Sequence, residues 1–111
     1  MTQGLKTIIF PVKDIAKGKA FYRALLGVEP SVDQPYYVGF DVAGQHIGLD
    51  PNGHSDGAVG YWHVADIEES LKALIGAGAR TLQEVKEVGG GRRIAAARDP
   101  DGNLIGLSQS T

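Results

Sequence analysis

The sequence contains no cysteine, which excludes disulfides, thiolate nucleophiles and thiolate metal ligands at once. Aromatic residues are few: one tryptophan, four tyrosines and three phenylalanines. Long apolar runs are missing as well. The early apolar stretch Thr7 to Val12 falls far short of the roughly 20 residues that a membrane span requires and of a secretion signal's apolar segment. Nor does one sign of charge dominate. The net charge is −2, with acids and bases interspersed, so neither nucleic acid nor an anionic membrane surface is an expected partner. No glycine-rich phosphate loop, nucleophile elbow or basic stripe is present. A cytoplasmic protein is the expectation.

What the chain does have is glycine, 16 residues in 111, placed mostly where turns are expected. The length suits one domain with a real core but not two independent ones. The most informative stretch is Asp99-Pro100-Asp101-Gly102-Asn103, a turn, followed by the short apolar strand Leu104-Ile105-Gly106-Leu107. The same strand pattern stands earlier as Ile47-Gly48-Leu49, 58 residues before Ile105-Gly106-Leu107. A second pair of matching segments, Val12-Lys13-Asp14-Ile15 and Val64-Ala65-Asp66-Ile67, is offset by 52 residues. Two agreeing signals at different offsets indicate one unit present twice.

The elements follow the same order in both halves. Leu5 to Val12 reads as a strand. Asp14 caps a helix with Ile15, Ala20, Phe21, Leu25 and Leu26 as its apolar face, and Gly27 ends it. A short strand within Val28 to Val32 comes next, then the alternating strand Tyr36 to Val42, then a Gly44 turn and the strand His46 to Leu49. The polar run Pro51 to Gly57, which includes His54, reads as the linker between halves. Val59 to Val64 begins the order again. Asp66 caps a helix whose stripe is Ile67, Leu71, Leu74 and Ile75, with Glu69 completing a capping-box pattern. Thr81 to Val88, Arg92 to Arg98 and Asn103 to Leu107 are three further strands, the first two joined by Gly89-Gly90-Gly91.

A duplicated β-α-β-β-β unit carrying Val-x-Asp-Ile helix starts, Phe21-Tyr22 followed by Leu25-Leu26-Gly27, and Asp99-Pro100-Asp101-Gly102-Asn103 resembles the vicinal oxygen chelate superfamily. Glyoxalase I, extradiol dioxygenases and the fosfomycin- and bleomycin-resistance proteins belong to that group. The resemblance covers essentially the whole chain. It implies an α+β fold: one domain over residues 1–111, made of two tandem βαβββ repeats at about 4–50 and 58–109. Their strands would form a curled mixed sheet, a cup with helices on its outer face, and a homodimer is implied as well. Enzymes of the superfamily hold a divalent metal with His on the first strand of a unit and Glu on the last. The matching positions here are Thr7, Gly48, Val59 and Gly106, and none carries a side chain suited to such an ion. The expectation is therefore no cofactor and no metal, with the two glycines emptying the cup floor.

Strand alternation places Thr7, Ile9, Pro11, Tyr37, Gly39, His46, Gly48 and Asp50 on the inward face of the first half, and Val59, Tyr61, His63 and Gly106 on that of the second. Trp62 is expected on the helix side. His46 and His63 are the imidazoles within reach of the cup, each either a hydrogen-bonded rim residue or a contact to an acidic or phenolic ligand. Arg92 and Arg93 read either as an anion clamp or as a charged, solvated hairpin. The expected ligand-binding set is Thr7, Ile9, Tyr37, His46, Gly48, Val59, Tyr61, His63 and Gly106. The expected function is metal-free binding of a small organic molecule, of the sequestration or resistance type. The alternative is a metal-dependent lyase, isomerase or dioxygenase of the same superfamily.

Overall fold

The computed structural model describes residues 2–53 and 57–110. His54, and with it the middle of the expected linker, lies outside them. The chain folds as two compact units. One is Lys6–Val59; the other joins the start of the first strand, as far as Leu5, to the chain from Gly60 onward.

In the first unit, β1 (Thr2–Pro11) is followed by α1 (Ile15–Leu26), β2 (Val32–Gln34), β3 (Tyr37–Val42) and β4 (Gln45–Asp50). The strands lie in the order β2-β3-β4-β1, with β2, β3 and β4 antiparallel and β1 parallel to β4. Only a long connection can return the chain to a parallel neighbour, and α1 with β2 and β3 supplies it. Ala43 and Gly44 form a two-residue hairpin loop between the paired residues Val42 and Gln45. Both have positive φ, 53° and 77°, as a type I′ turn demands.

Helix α1 begins where expected: the Asp14 carboxylate accepts from the Lys17 amide, satisfying one of the first-turn donors. It ends at Gly27, left-handed at φ 72°. Its buried face differs from the expected one. Phe21 and Leu25 are 63% and 65% exposed, and Ala20 is exposed too. The inward residues are Ile15, Tyr22 and Leu26, packed with Phe10 and Val12 on buried Val38, Phe40, Ile47 and Leu49. Gly18 completes that stripe. A Cβ there would stand 3.2 Å from Val12 Cγ1 and 3.4 Å from Leu49 Cδ1, so the bare backbone lets the helix lie close on the sheet. The Tyr22 ring stacks on Phe10, centroids 5.3 Å apart. The short strand expected in Val28 to Val32 forms instead at Val32–Gln34, beyond Pro30, which lacks an amide donor for a ladder.

The second unit has the same element order: β5 (Val59–Val64), α2 (Ile67–Gly76), β6 (Arg80–Val88), β7 (Arg92–Arg98) and β8 (Leu104–Gln109). The spatial order β5-β8-β7-β6 again puts first and last strands side by side and parallel. Register agrees as well: Gly48 pairs with Ile9 in one unit, Gly106 with Tyr61 in the other. Asp66 caps α2 by accepting from the Glu69 amide. Ile67 and Leu71 are buried in a core with Val64, Ala95, Ala97 and Leu107, and Leu74 packs against it. Ile75 is 49% exposed rather than part of the stripe; Ser70 takes that place. Trp62 lies on the helix side, as alternation requires, at the edge of a cavity of about 260 Å³ that Ser70, Leu74 and Ile105 also line. The triple glycine makes a tight turn with Gly90 and Gly91 at positive φ. Among the described residues, no helix is long and apolar enough to cross a membrane.

Candidate ligand-binding site

In the first unit, the face of the sheet turned away from α1 carries Thr7 and Ile9 from β1, Tyr37, Gly39 and Asp41 from β3, and His46 and Gly48 from β4. Pairing arranges these in rows across the strands. Thr7, His46 and Asp41 stand abreast, and in the next row Ile9, Gly48 and Gly39 do so. The two glycines therefore face each other across β3 and β4. Between them they leave a shallow trough in the middle of a paired sheet.

Two rings fill it. A Cβ at Gly48 would come within 2.2 Å of Tyr37 Oη and 2.5 Å of Ile9 Cδ1. At Gly39 it would stand 2.6 Å from His46 Cε1 and 3.1 Å from Tyr37 Cε2. Tyr37 and His46 thus lie down on the sheet, nearly parallel, at 15° with centroids 6.0 Å apart. The Tyr37 hydroxyl is 2.6 Å from His46 Nε2, and His46 Nδ1 is 2.7 Å from Asp41 Oδ1. The carboxylate calls for a proton on Nδ1, and a neutral ring then leaves Nε2 as an acceptor. Nδ1–H donates to the carboxylate, and Nε2 accepts from the phenol. Asp41 thereby fixes the imidazole tautomer, as a carboxylate behind a histidine does in other proton-handling sites. The His46 side chain is 20% exposed and that of Asp41 64%, so the chain of groups runs from a half-covered phenol out to solvent.

The corresponding face of the second unit carries Tyr61 and His63 on β5, and Gly106 and Ser108 on β8. The Tyr61 ring lies over Gly106, where a Cβ would meet ring atoms at 2.5–2.8 Å. Tyr61 is buried. His63 pairs with Ser108 in the ladder, and its carbonyl accepts from the Thr2 hydroxyl at 3.2 Å. Val59 is fully buried at the start of β5.

The expected emptying of the floor is therefore corrected. The glycines do make room, but tyrosine occupies it in both units: the Tyr37 hydroxyl above Gly48, the Tyr61 ring above Gly106. The same observation tests whether a divalent metal fits the positions that the resemblance assigns to it. Thr7 offers a neutral hydroxyl, Val59 nothing, and the space at Gly48 and Gly106 belongs to aromatic side chains. Among the described residues, no group of three or more His, Asp or Glu is placed to hold an ion, and a dehydrated divalent cation needs such compensating ligands. Among the described residues, the four positions that the resemblance assigns to a metal do not fit one.

Asp41 and Gly39 are absent from the expected ligand-binding set. Their signal is in the sequence nonetheless, since alternation puts them on the Tyr37 face and a two-residue turn at Ala43-Gly44 sets Asp41 opposite His46. Of the two arginines that could form an anion clamp, Arg93 is ion-paired with Glu68 of α2, while Arg92 is exposed.

A sequence model of the Glyoxalase/Bleomycin resistance protein/Dioxygenase superfamily matches residues 4–107. No curated protein matches the sequence significantly. Among solved structures, a variant of methylmalonyl-CoA epimerase from Streptomyces coelicolor, in complex with 2-nitronate-propionyl-CoA, aligns with TM-score 0.78 at 19% identity. That alignment covers 100% of this chain and 99% of the epimerase. A superfamily member from Vibrio splendidus aligns with TM-score 0.70 at 22% identity, covering 95% and 97% of the two chains. A Legionella pneumophila structure, described as an NAD-dependent benzaldehyde dehydrogenase, aligns with TM-score 0.75 at 21% identity over 95% and 98%. At these identities the likeness establishes the fold.

Proposed function

Because the chain belongs to the Glyoxalase/Bleomycin resistance protein/Dioxygenase superfamily, we propose that it holds a small organic molecule without a metal, as the sequestering and resistance members do. The observation that carries this reading is the occupied space at the metal positions: a Tyr37 hydroxyl and a Tyr61 ring stand where liganding side chains would have to project. In their place the first unit offers a flat aromatic floor with one polar line across it, Tyr37–His46–Asp41. Flat apolar surface with a few fixed polar atoms is what small-molecule sites consist of. In this reading Thr7, Ile9, Tyr37, His46 and Gly48 contribute from one repeat and Val59, Tyr61, His63 and Gly106 from the other. The protein acts as a single-domain homodimer in the cytoplasm.

A second reading, a metal-dependent isomerase or lyase, draws on the likeness to the Streptomyces epimerase, which is described with a CoA-linked ligand. Metal analysis of protein purified without a histidine tag separates the two. We expect no stoichiometric metal, and no rise in melting temperature on adding zinc, nickel, iron or manganese. A small organic ligand that fits should stabilise by about 2.7 kcal/mol at a hundred times its dissociation constant. Stoichiometric metal, lost on mutating His46 or His63, would establish the second reading.

A further inference from the structure

We infer that the cavity beside Trp62, on the helix side of the second unit, is a seat for a small, neutral, planar aromatic molecule. That seat is on the opposite face of the sheet from Tyr61 and Gly106, so it stands apart from the metal-free binding proposed above.

The repeat within the chain shows what such a seat takes. An offset of 52 residues carries Phe10, Val12, Gly18 and Tyr22 onto Trp62, Val64, Ser70 and Leu74. The offset of 58 carries Leu49 onto Leu107. Register agrees, since Phe10 pairs with Leu49 and Trp62 pairs with Leu107. In the first unit the position is filled from within: the Tyr22 ring of α1 stacks on Phe10, centroids 5.3 Å apart. In the second unit the same helix position holds Leu74, which has no ring to offer, and the strand position holds Trp62. What remains beside them is the cavity of about 260 Å³. Ser70 adds to the difference. A Cβ at Gly18 would crowd Val12 and Leu49, at 3.2 and 3.4 Å, so α1 rests there on bare backbone. Ser70 brings a Cβ and a hydroxyl to the corresponding spot, and α2 cannot close on Val64 and Leu107 in the same way.

The walls set the ligand's chemistry. Val64 and Leu107 are buried, while Trp62, 39% exposed, stands at the rim. Among the described residues no charged side chain lines the cavity, so an ionic ligand would hold its charge unpaired and out of water. The Thr2 hydroxyl is already engaged, donating to the His63 carbonyl at 3.2 Å and accepting from the Gly4 amide at 3.0 Å. An apolar cavity of about 150 Å³ accommodates benzene, so this one takes a substituted ring or a fused pair. It is too small for a peptide helix, about 10 Å across. The flat indole offers a ligand the stacking surface that Phe10 offers Tyr22.

p-Cresol, the tyrosine side chain as a free molecule, is the probe, and Trp62, the one tryptophan of the chain, is the reporter. At neutral pH, p-cresol should move the Trp62 emission of the untagged protein to shorter wavelength, saturably, because it covers the exposed indole. 4-Methylcyclohexanol, similar in size but not flat, should bind about two- to tenfold more weakly, the worth of aromatic stacking. Benzoate should give no shift. Leu74→Tyr supplies the side chain that the first unit uses. It should raise the melting temperature by roughly 2–10 °C and abolish the cresol response; Leu74→Phe serves the same purpose if the tyrosine variant does not fold. No saturable shift in the unaltered protein overturns the inference, as does a cresol response that survives in the filling variants. Equal affinity for 4-methylcyclohexanol overturns the planar class, and a benzoate response overturns the neutral one. A blue shift on concentrating the protein alone shows a second copy covering Trp62 and overturns the small-molecule occupant.

Discussion

Gly48→Ala tests the central geometric claim, that Tyr37 lies in space the glycine vacates. The new Cβ would stand 2.2 Å from Tyr37 Oη, 2.8 Å from Tyr37 Cζ and 2.5 Å from Ile9 Cδ1. Ordinary carbon contacts begin about 3.5 Å apart, so the phenol must retreat by more than an ångström. Its 2.6 Å bond to His46 cannot survive that displacement. Overpacking of this kind costs about 1–3 kcal/mol, and the lost hydrogen bond about 0.5–1.5 kcal/mol. Against these, alanine's lower unfolded-state entropy returns about 0.4–1 kcal/mol. The net expectation is a loss of about 0.5–4 kcal/mol, or a fall in melting temperature of very roughly 2–20 °C for a chain of this size. Urea and thermal unfolding of Gly48→Ala, Tyr37→Ala and the double variant give the decisive comparison. Removing the ring makes the alanine harmless, so the double variant should be more stable than the sum of the single effects predicts, by about 1 kcal/mol or more. Additive effects, or a Gly48→Ala protein as stable as the parent, would refute the placement of Tyr37 over Gly48.

Leu71→Ala, at a 6% exposed position in the second core, should cost about 2–5 kcal/mol. Leu25→Ala, on the outward face of α1, should cost less than about 0.5 kcal/mol. Equal losses in denaturant midpoint would show that the helix face is misplaced. Ala43 sits at φ 53° beside Gly44, so Ala43→Asn, the residue a type I′ turn prefers, should stabilise by roughly 0.5–1 kcal/mol; a lower melting temperature would contradict that turn. The Asp99 carboxyl is held below its ordinary value of 3.8, chiefly by the Asn103 side-chain amide, and by backbone amides of Asn103, Asp101 and Gly102. A depressed folded value means stabilisation that is fully present above the ordinary value and disappears as pH falls through the lowered one. Asp99→Ala should therefore be less stable than the parent at neutral pH. The gap should close in strong acid, and a gap that persists unchanged there would contradict the assignment.

The sequence alone contained the element order of both units, the caps at Asp14, Asp66 and Gly27, and the faces of the strands, because each depends on near neighbours. A carboxylate three residues before an amide, a glycine free to take positive φ, and period-two alternation are local facts. The superfamily was legible for the same reason: its repeat is written at two offsets, and short turn and cap motifs carry it. The buried face of α1 was not legible. Helical spacing allows either Phe21 and Leu25 or Gly18 and Tyr22 to face inward, and hydrophobicity favours the first pair. Only the close approach of Val12 and Leu49 to a bare Gly18 decides for the second. The glycines at 48 and 106 were visible as unusual, yet what lies over them was not. A glycine records that a neighbour needs the space, and which side chain folds back into it follows from strand pairing. That pairing brings Gly39 opposite Gly48 and Asp41 opposite His46. Three residues scattered between positions 37 and 46 become a hydrogen-bonded line only once the hairpin closes.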